Sequence, residues 1–282
     1  MMRYLPFLLF GKKPAILSFD LTIEEIIRSK KSFSRFGDGE IRMLLDAGEI
    51  GFQKRNLVLT DRLQEVLNND NPNLLIGLPN TFQCVNHYTL DSQIFWYGFN
   101  MVYAKIFVKQ LNLNRKYGDA IITRFYMAYK NKSDVQRKIE KLKTIWQNQN
   151  LLIIEGEKTK LGVGNDLFNN ALTLERILCP SINAFDHYDD ILKSAKKFGK
   201  DKLIMIALGP TASVLTSDLS KLNYWAIDIG HIDIEYTWFL QNKFRKSTVE
   251  GKAVNEAVEN PSLRDLELKD DNYDTSIIEK IG

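Results

Sequence analysis

An α/β fold, Rossmann-like, with a largely parallel sheet flanked by helices and a short C-terminal appendage, is predicted by three observations. Short apolar runs alternate with amphipathic helical stretches, several of the runs are apolar nearly throughout, and glycine-rich turns follow several of them. The 282 residues and 32.6 kDa suit one such domain with a smaller addition, and 44% hydrophobic with 26% charged residues is enough for a substantial core.

Ser32 to Phe36 and Leu74 to Leu78 are the first strand candidates, and Val85 to Leu111 carries one long or broken helix. Ser133 reads as the N-cap of a helix whose Val135, Ile139, Leu142, Ile145 and Trp146 recur near the helical period, and Leu151 to Ile154 follows as a buried strand. The rhythm repeats with helix Tyr188 to Phe198, strand Leu203 to Leu208, helix Ala212 to Leu222 and strand Tyr224 to Ile229. Residues 246–282 hold five basic and nine acidic side chains, a net −4 against +7 for the preceding body. Pro261 and the Asp270-Asp271-Asn272-Tyr273-Asp274 stretch predict short surface helices and turns there. The expected division is an N-terminal tip (1–17), a main α/β domain (18–245) and an acidic appendage (246–282).

The overall charge of +3 gives no case for nucleic acid as a partner. Cys84 and Cys179 are too few and too isolated for a disulfide scaffold, so a reducing, cytoplasmic setting is expected. The run Tyr4 to Phe10 is broken by Pro6 and is too short to span a bilayer, which leaves the cationic tip a cover for the fold or a peripheral contact at the inner membrane face.

Four sites fall beyond strand ends, where ligands of open parallel sheets collect. In Arg35-Phe36-Gly37-Asp38-Gly39-Glu40, the two carboxylates could bridge Mn2+ or Mg2+ to a diphosphate, with Arg35 adding a bidentate phosphate contact. The ordinary reading is an acidic first helical turn. In Gly162-Val163-Gly164-Asn165-Asp166, Asn165 and Asp166 could cap a helix or bind a nucleoside, although the spacing is not the dinucleotide fingerprint. Gly209-Pro210-Thr211-Ala212-Ser213 could cradle a diphosphate on backbone N–H groups and the Thr211 and Ser213 hydroxyls, or simply turn a strand into a helix. Asp228-Ile229-Gly230-His231-Ile232-Asp233-Ile234-Glu235 crowds ionisable groups suited to proton transfer, with Asp233, then Glu235, then His231 as base. Trp96, Tyr97, Phe99, Tyr103 and Phe107 fit a buried helix better than a sugar platform, and His87 and His187 fit packing or surface roles.

From Ser18 to Leu240, these motifs in this order resemble the bacterial glycosyltransferases of the GT-D fold type, whose DxE signature is similar to Asp38-Gly39-Glu40. The resemblance implies a metal-dependent enzyme using a nucleotide-diphosphate sugar, typically UDP-glucose or a relative, to extend a glycan on a protein or polysaccharide precursor. It assigns Asp38 and Glu40 to the metal and diphosphate region. Added to the residue readings, it gives an expected hexosyl transfer from a UDP-sugar, with inversion, to a glycan acceptor on protein or a lipid carrier. Known members are modules of larger proteins, and no room for a second full transferase domain is expected here. The competing classes are a metal-dependent hydrolase of nucleotide sugars or phosphoesters, and a non-catalytic nucleotide-sugar-binding protein.

Overall fold

The computed structural model describes residues 13–252 and 271–282, and the apolar tip and Pro261 therefore lie outside the described residues. Strand β1 (Ala15–Ile16) leads into helix α1 (Phe19–Arg28), which starts where Ser18 Oγ accepts the Leu21 N–H at 3.3 Å. Next come β2 (Ser32–Arg35), α2 (Asp38–Leu44), α3 (Leu57–Leu67) and β3 (Leu74–Leu78). Helix α4 (Leu90–Phe99) runs through a π-helical turn (Asn100–Ala104) into α5 (Lys105–Val108), followed by β4 (Lys116–Asp119) and α6 (Val135–Lys143). The second half holds β5 (Asn150–Gly156), β6 (Thr173–Cys179), α7 (Tyr188–Phe198), β7 (Leu203–Ala207), α8 (Pro210–Lys221), β8 (Trp225–Asp228) and α9 (Ile232–Leu240). The tail ends in α10 (Asp271–Ser276) and β9 (Ile277–Lys280).

The nine described strands form one sheet in the order β1-β4-β3-β2-β8-β7-β5-β6-β9, every neighbouring pair parallel. Alternate residues of one strand enter opposite cores. Leu152 and Ile154 join Ile204, Ile206 and Leu215 on one face, whereas Leu151 and Ile153 join Phe33, Met205 and Ile227 on the other. That double burial explains the uninterrupted apolar runs. The two halves of the sheet meet where β2 and β8 share a single register pair, Phe33 with Ile227. Direction reverses again at β5, which takes β6 on one side and β7 on the other, so the carboxyl edge between β2 and β5 gathers successive loops.

The helix expected within Val85 to Leu111 is present, broken by its π-helical turn and beginning at Leu90 after the chain bridges Tyr88 to Tyr129. Two local expectations are corrected. Ser133 does not serve as the N-cap: α6 begins at Val135 after Asp134, whose carboxylate binds Arg137 at 2.6 Å. The acidic tail contributes a strand as well as a helix, with β9 adding to the edge of β6. Among the described residues, no helix is long and apolar enough to cross a membrane.

Candidate active site

A cleft of about 590 Å3 opens at the carboxyl edge, bordered by the ends of β2, β4, β5, β6, β7 and β8. Its acidic wall is the β2 to α2 turn. The Gly37 N–H donates to Glu40 Oε2 at 2.8 Å, folding that side chain back over the first turn of α2, while Asp38 is the first residue of the helix. Burial pushes the Glu40 carboxyl up to about 7, and the negative charge of Asp228 adds to the rise. Asp228 is itself raised by burial, against the opposing pull of Arg35.

Among the described residues no group of three or more His, Cys, Asp or Glu side chains is arranged to enclose a metal. Asp38 and Glu40 supply two carboxylates on an open wall, which fits a cation whose other positions are taken by phosphate oxygens and water. Burial first, then the negative charges of Asp228 and Asp38, oppose the ionisation of Glu40, and a cation held beside it would favour the ionised form.

Arg35 does not hold a guanidinium fork open for phosphate. Its Nε donates to the Asp228 carbonyl at 2.9 Å and Nη2 to Asp228 Oδ1 at 2.6 Å, while Nη1 donates to Thr123 Oγ1 at 2.7 Å and to the Ala120 carbonyl at 3.2 Å. Four of its five N–H groups are thus used, and in place of the expected bidentate phosphate fork Arg35 forms a clamp joining β2, the 3₁₀ turn after β4 (Ala120–Thr123) and β8. The clamp lies where β2 and β8 share little backbone pairing. Gly230 makes room for it: at φ +44° it adopts a left-handed conformation, and a Cβ there would stand 1.9 Å from Arg35 Nη2.

The turn after β7 also differs from its expected role. Gly209, at φ +56°, borders the cleft, and a Cβ on it would meet the Phe52 ring at 2.2 Å. Pro210 is the first residue of α8 and lies off the cleft wall, as do Thr211 and Ser213. Ser213 Oγ donates to the Arg35 carbonyl at 2.7 Å, and the Ser213 carbonyl accepts from Ser34 Oγ at 3.0 Å. These bonds pin α8 to β2, and the proposed hydroxyl cradle is withdrawn. Thr211 is fully buried.

The glycine loop after β5 is supported from below. Glu155, fully buried, pairs with Arg176 at 2.5 Å and accepts the Leu161 N–H at 2.7 Å. Asn165 Nδ2 donates to Asp233 Oδ1 at 2.7 Å, and Asp166 accepts from Tyr236 Oη at 2.5 Å and from Lys143 at 3.0 Å. The Tyr236 hydrogen bond, then Lys143, holds the Asp166 carboxyl below its usual range. Neither Asn165 nor Asp166 borders the cleft, so their expected nucleoside contacts become loop-holding ones.

The three base candidates have separated. Asp233 reaches the wall, where Oδ1 accepts from the Gly162 N–H at 2.9 Å and from Asn165, and Oδ2 pairs with Lys252 at 2.6 Å. Glu235 turns away from the cleft and accepts the N–H groups of Tyr126 and Met127 at 2.9 and 2.8 Å, which replaces its expected catalytic role with shaping that loop. His231 borders the cleft with Nδ1 3.1 Å from Arg124 Nη2. Arginine can only donate, so Nδ1 accepts and the ring proton sits on Nε2.

Arg124, Lys158, Thr159, Ser181, Phe52 and Trp96 also border the cleft. Of these only Trp96 stood out in the sequence, and then as core. Arg124 follows the unrecognised strand β4, and a strand assigned there would have placed it at the carboxyl edge. His87 packs against Tyr88 and Tyr129, as a structural histidine would.

An all-parallel sheet with a cleft at its carboxyl edge, lined by Asp38, Glu40, Asp228 and Asp233 together with Arg35, Arg124 and Lys158, is a ligand site of the open α/β type. The family model "Glycosyltransferase GT-D fold" matches residues 33–257, and the chain belongs to that family of transferases. A probable glycosyl transferase Gly from Streptococcus gordonii is 34% identical over 270 residues, covering 95% of this chain and 39% of that protein. Glycosyltransferase GlyD from Streptococcus pneumoniae serotype 4 is 34% identical over 269 residues, covering 94% of this chain and 32% of its own length. The chain therefore spans about a third of these relatives. A solved structure described as the highly conserved domain of unknown function 1792, with a distinct glycosyltransferase fold, superimposes with a TM-score of 0.89 at 35% identity, covering 96% of both chains. A new glycosyltransferase from Streptococcus sanguinis superimposes with a TM-score of 0.86 at 33% identity, covering 96% of this chain and 100% of that one.

Proposed function

We propose that the protein moves a hexose, glucose or galactose, from a UDP-sugar to a glycan acceptor on a protein or lipid carrier, in glycoprotein or surface polysaccharide biosynthesis at the cytoplasmic face of the membrane. The observation that carries this reading is the acidic wall of the cleft, where Asp38 and a Glu40 raised to about 7 stand at the carboxyl edge of the sheet. Asp38 and Glu40 would hold Mn2+ or Mg2+, which neutralises charge on a departing diphosphate. Arg124 and the Nε2–H of His231 would donate to that diphosphate or to the sugar, and Trp96 and Phe52 supply flat apolar surface beside it.

Single displacement with inversion is the proposed course. Asp233 is the proposed base, since of the two carboxylates among the three candidates it is the one that reaches the wall; Gly162, Asn165 and Lys252 fix its direction.

A donor-by-acceptor assay with Mn2+ and Mg2+ tests the reading. Acceptor-dependent release of UDP supports it. UDP and free sugar released at one rate with or without acceptor would make the protein a hydrolase, and UDP binding without turnover across the panel would make it a binding protein.

A further inference from the structure

We propose that the outer face of α4 and α5 docks on an anionic lipid surface. The inner face of this helical segment packs Trp96, Phe99, Ala104 and Phe107 into the fold. Its outer face is apolar too. Leu90, Ile94, Phe95, Met101, Val102 and Ile106 are each between 49% and 68% exposed, and their spacing places them on one continuous side. A helix apolar all round needs a second apolar or interfacial partner.

Charge selects the partner. From Leu90 to Gly118 the one acidic residue is Asp91, against the exposed Lys105, Lys109 and Lys116; Arg115 turns inward and donates to the Asn69 and Leu74 carbonyls. Lys105 and Lys109 stand on the exposed face itself, so their stems can lie along the apolar surface while the ammonium groups meet phosphate headgroups. A second copy of this face would bring like charges together. The N-terminal tip carries Arg3, Lys12 and Lys13 with no acidic residue, a charge of the same sign as the face. Ala15 pairs with Lys116, which brings the chain after Lys13 to the same edge of the sheet.

Trp96 borders the cleft from the opposite side of α4, so a docked surface lies roughly one helix diameter, ~10 Å, from the site. Resting on the proposed transferase reading, this geometry favours an acceptor on a lipid carrier. The docking itself does not depend on that reading.

Flotation of the full chain with phosphatidylglycerol or phosphatidylcholine vesicles tests the docking, with circular dichroism and UDP affinity as controls of folding. Binding is expected on the anionic vesicles and is expected to weaken in high salt. Ile94→Asp with Val102→Asp, and separately Lys105→Glu with Lys109→Glu, should each lower it at least ~10-fold. Absence of wild-type flotation on anionic vesicles overturns the proposal. So does loss of flotation on deleting residues 2–12 while the face variants float normally, or a concentration-dependent dimer that the Ile94 and Val102 pair abolishes in a protein that never floats.

Discussion

Replacing Lys252 with methionine removes the cation from a buried ion pair while keeping most of the side-chain volume. The Lys252 and Asp233 side chains are 2% and 4% exposed and 2.6 Å apart, so Asp233 would be left as a buried carboxylate without its counter-charge. Breaking such a pair costs about 3–5 kcal/mol. The Gly162 N–H and Asn165 Nδ2 still donate to Asp233 Oδ1, which places the expected loss near the lower end, about 3 kcal/mol. At roughly 2–4 °C per kcal/mol for a chain of this order, the midpoint should fall by about 6–12 °C. Thermal and urea unfolding followed by circular dichroism at neutral pH measures it. In an Asp233→Asn background the same lysine replacement should cost less than ~1 kcal/mol, because no buried charge is abandoned. Equal losses in the two backgrounds would refute the reasoning: Asp233 and Lys252 would then be uncoupled, and the tail segment at Lys252 would not brace the cleft wall.

Glu40 carries a pH signature. Its folded carboxyl is raised to about 7 from 4.5, so its contribution to stability is complete below 4.5 and is lost as pH rises through 7. Without divalent cation, Glu40→Gln should therefore be more stable than the parent at pH 8 by about 1–2 kcal/mol, allowing for its partial exposure, and equal to it near pH 4; parallel stability curves at both ends would contradict this. Gly230→Ala should cost at least ~2 kcal/mol and weaken UDP binding, since its Cβ displaces the Arg35 clamp and its φ of +44° disfavours alanine. Calorimetric titration of that variant with UDP checks the effect, and unchanged affinity would remove the clamp from the site. His231→Gln should lower UDP-sugar affinity about 10-fold with little pH dependence if Nε2–H is the donor; a purely pH-dependent loss of transfer would restore it as a base.

The doubly buried strands are legible because their runs are dominated by apolar residues: the sequence pattern places β3 at its observed limits and β7 and β8 to within one residue at each end. β4 escaped notice, since Lys116–Asp119 has charged residues at both ends and a glycine inside. β6 was hidden by Glu175 and Arg176, the latter part of the buried pair with Glu155. Sequence placed Arg35, Gly37, Asp38, Glu40, Gly209, His231 and Asp233 near one another, and all seven border one cleft. It could not tell which polar atoms face the cleft and which serve the protein. Arg35, Ser213, Asn165 and Glu235 are polar residues at strand ends just as Asp38 is, yet their hydrogen bonds turn inward to carbonyls, carboxylates and backbone N–H groups that only the tertiary fold brings near.

The most direct test of the cleft as a cation-dependent transferase site is the rate of hexose transfer from a UDP-sugar, titrated with Mn2+, for the parent, Asp38→Asn and Glu40→Gln. Both variants should retain their circular dichroism spectra and lose at least ~100-fold in transfer at limiting Mn2+, because each removes a carboxylate proposed to hold the cation against a departing diphosphate. Near-parental transfer by both variants at limiting and saturating Mn2+ would contradict the account.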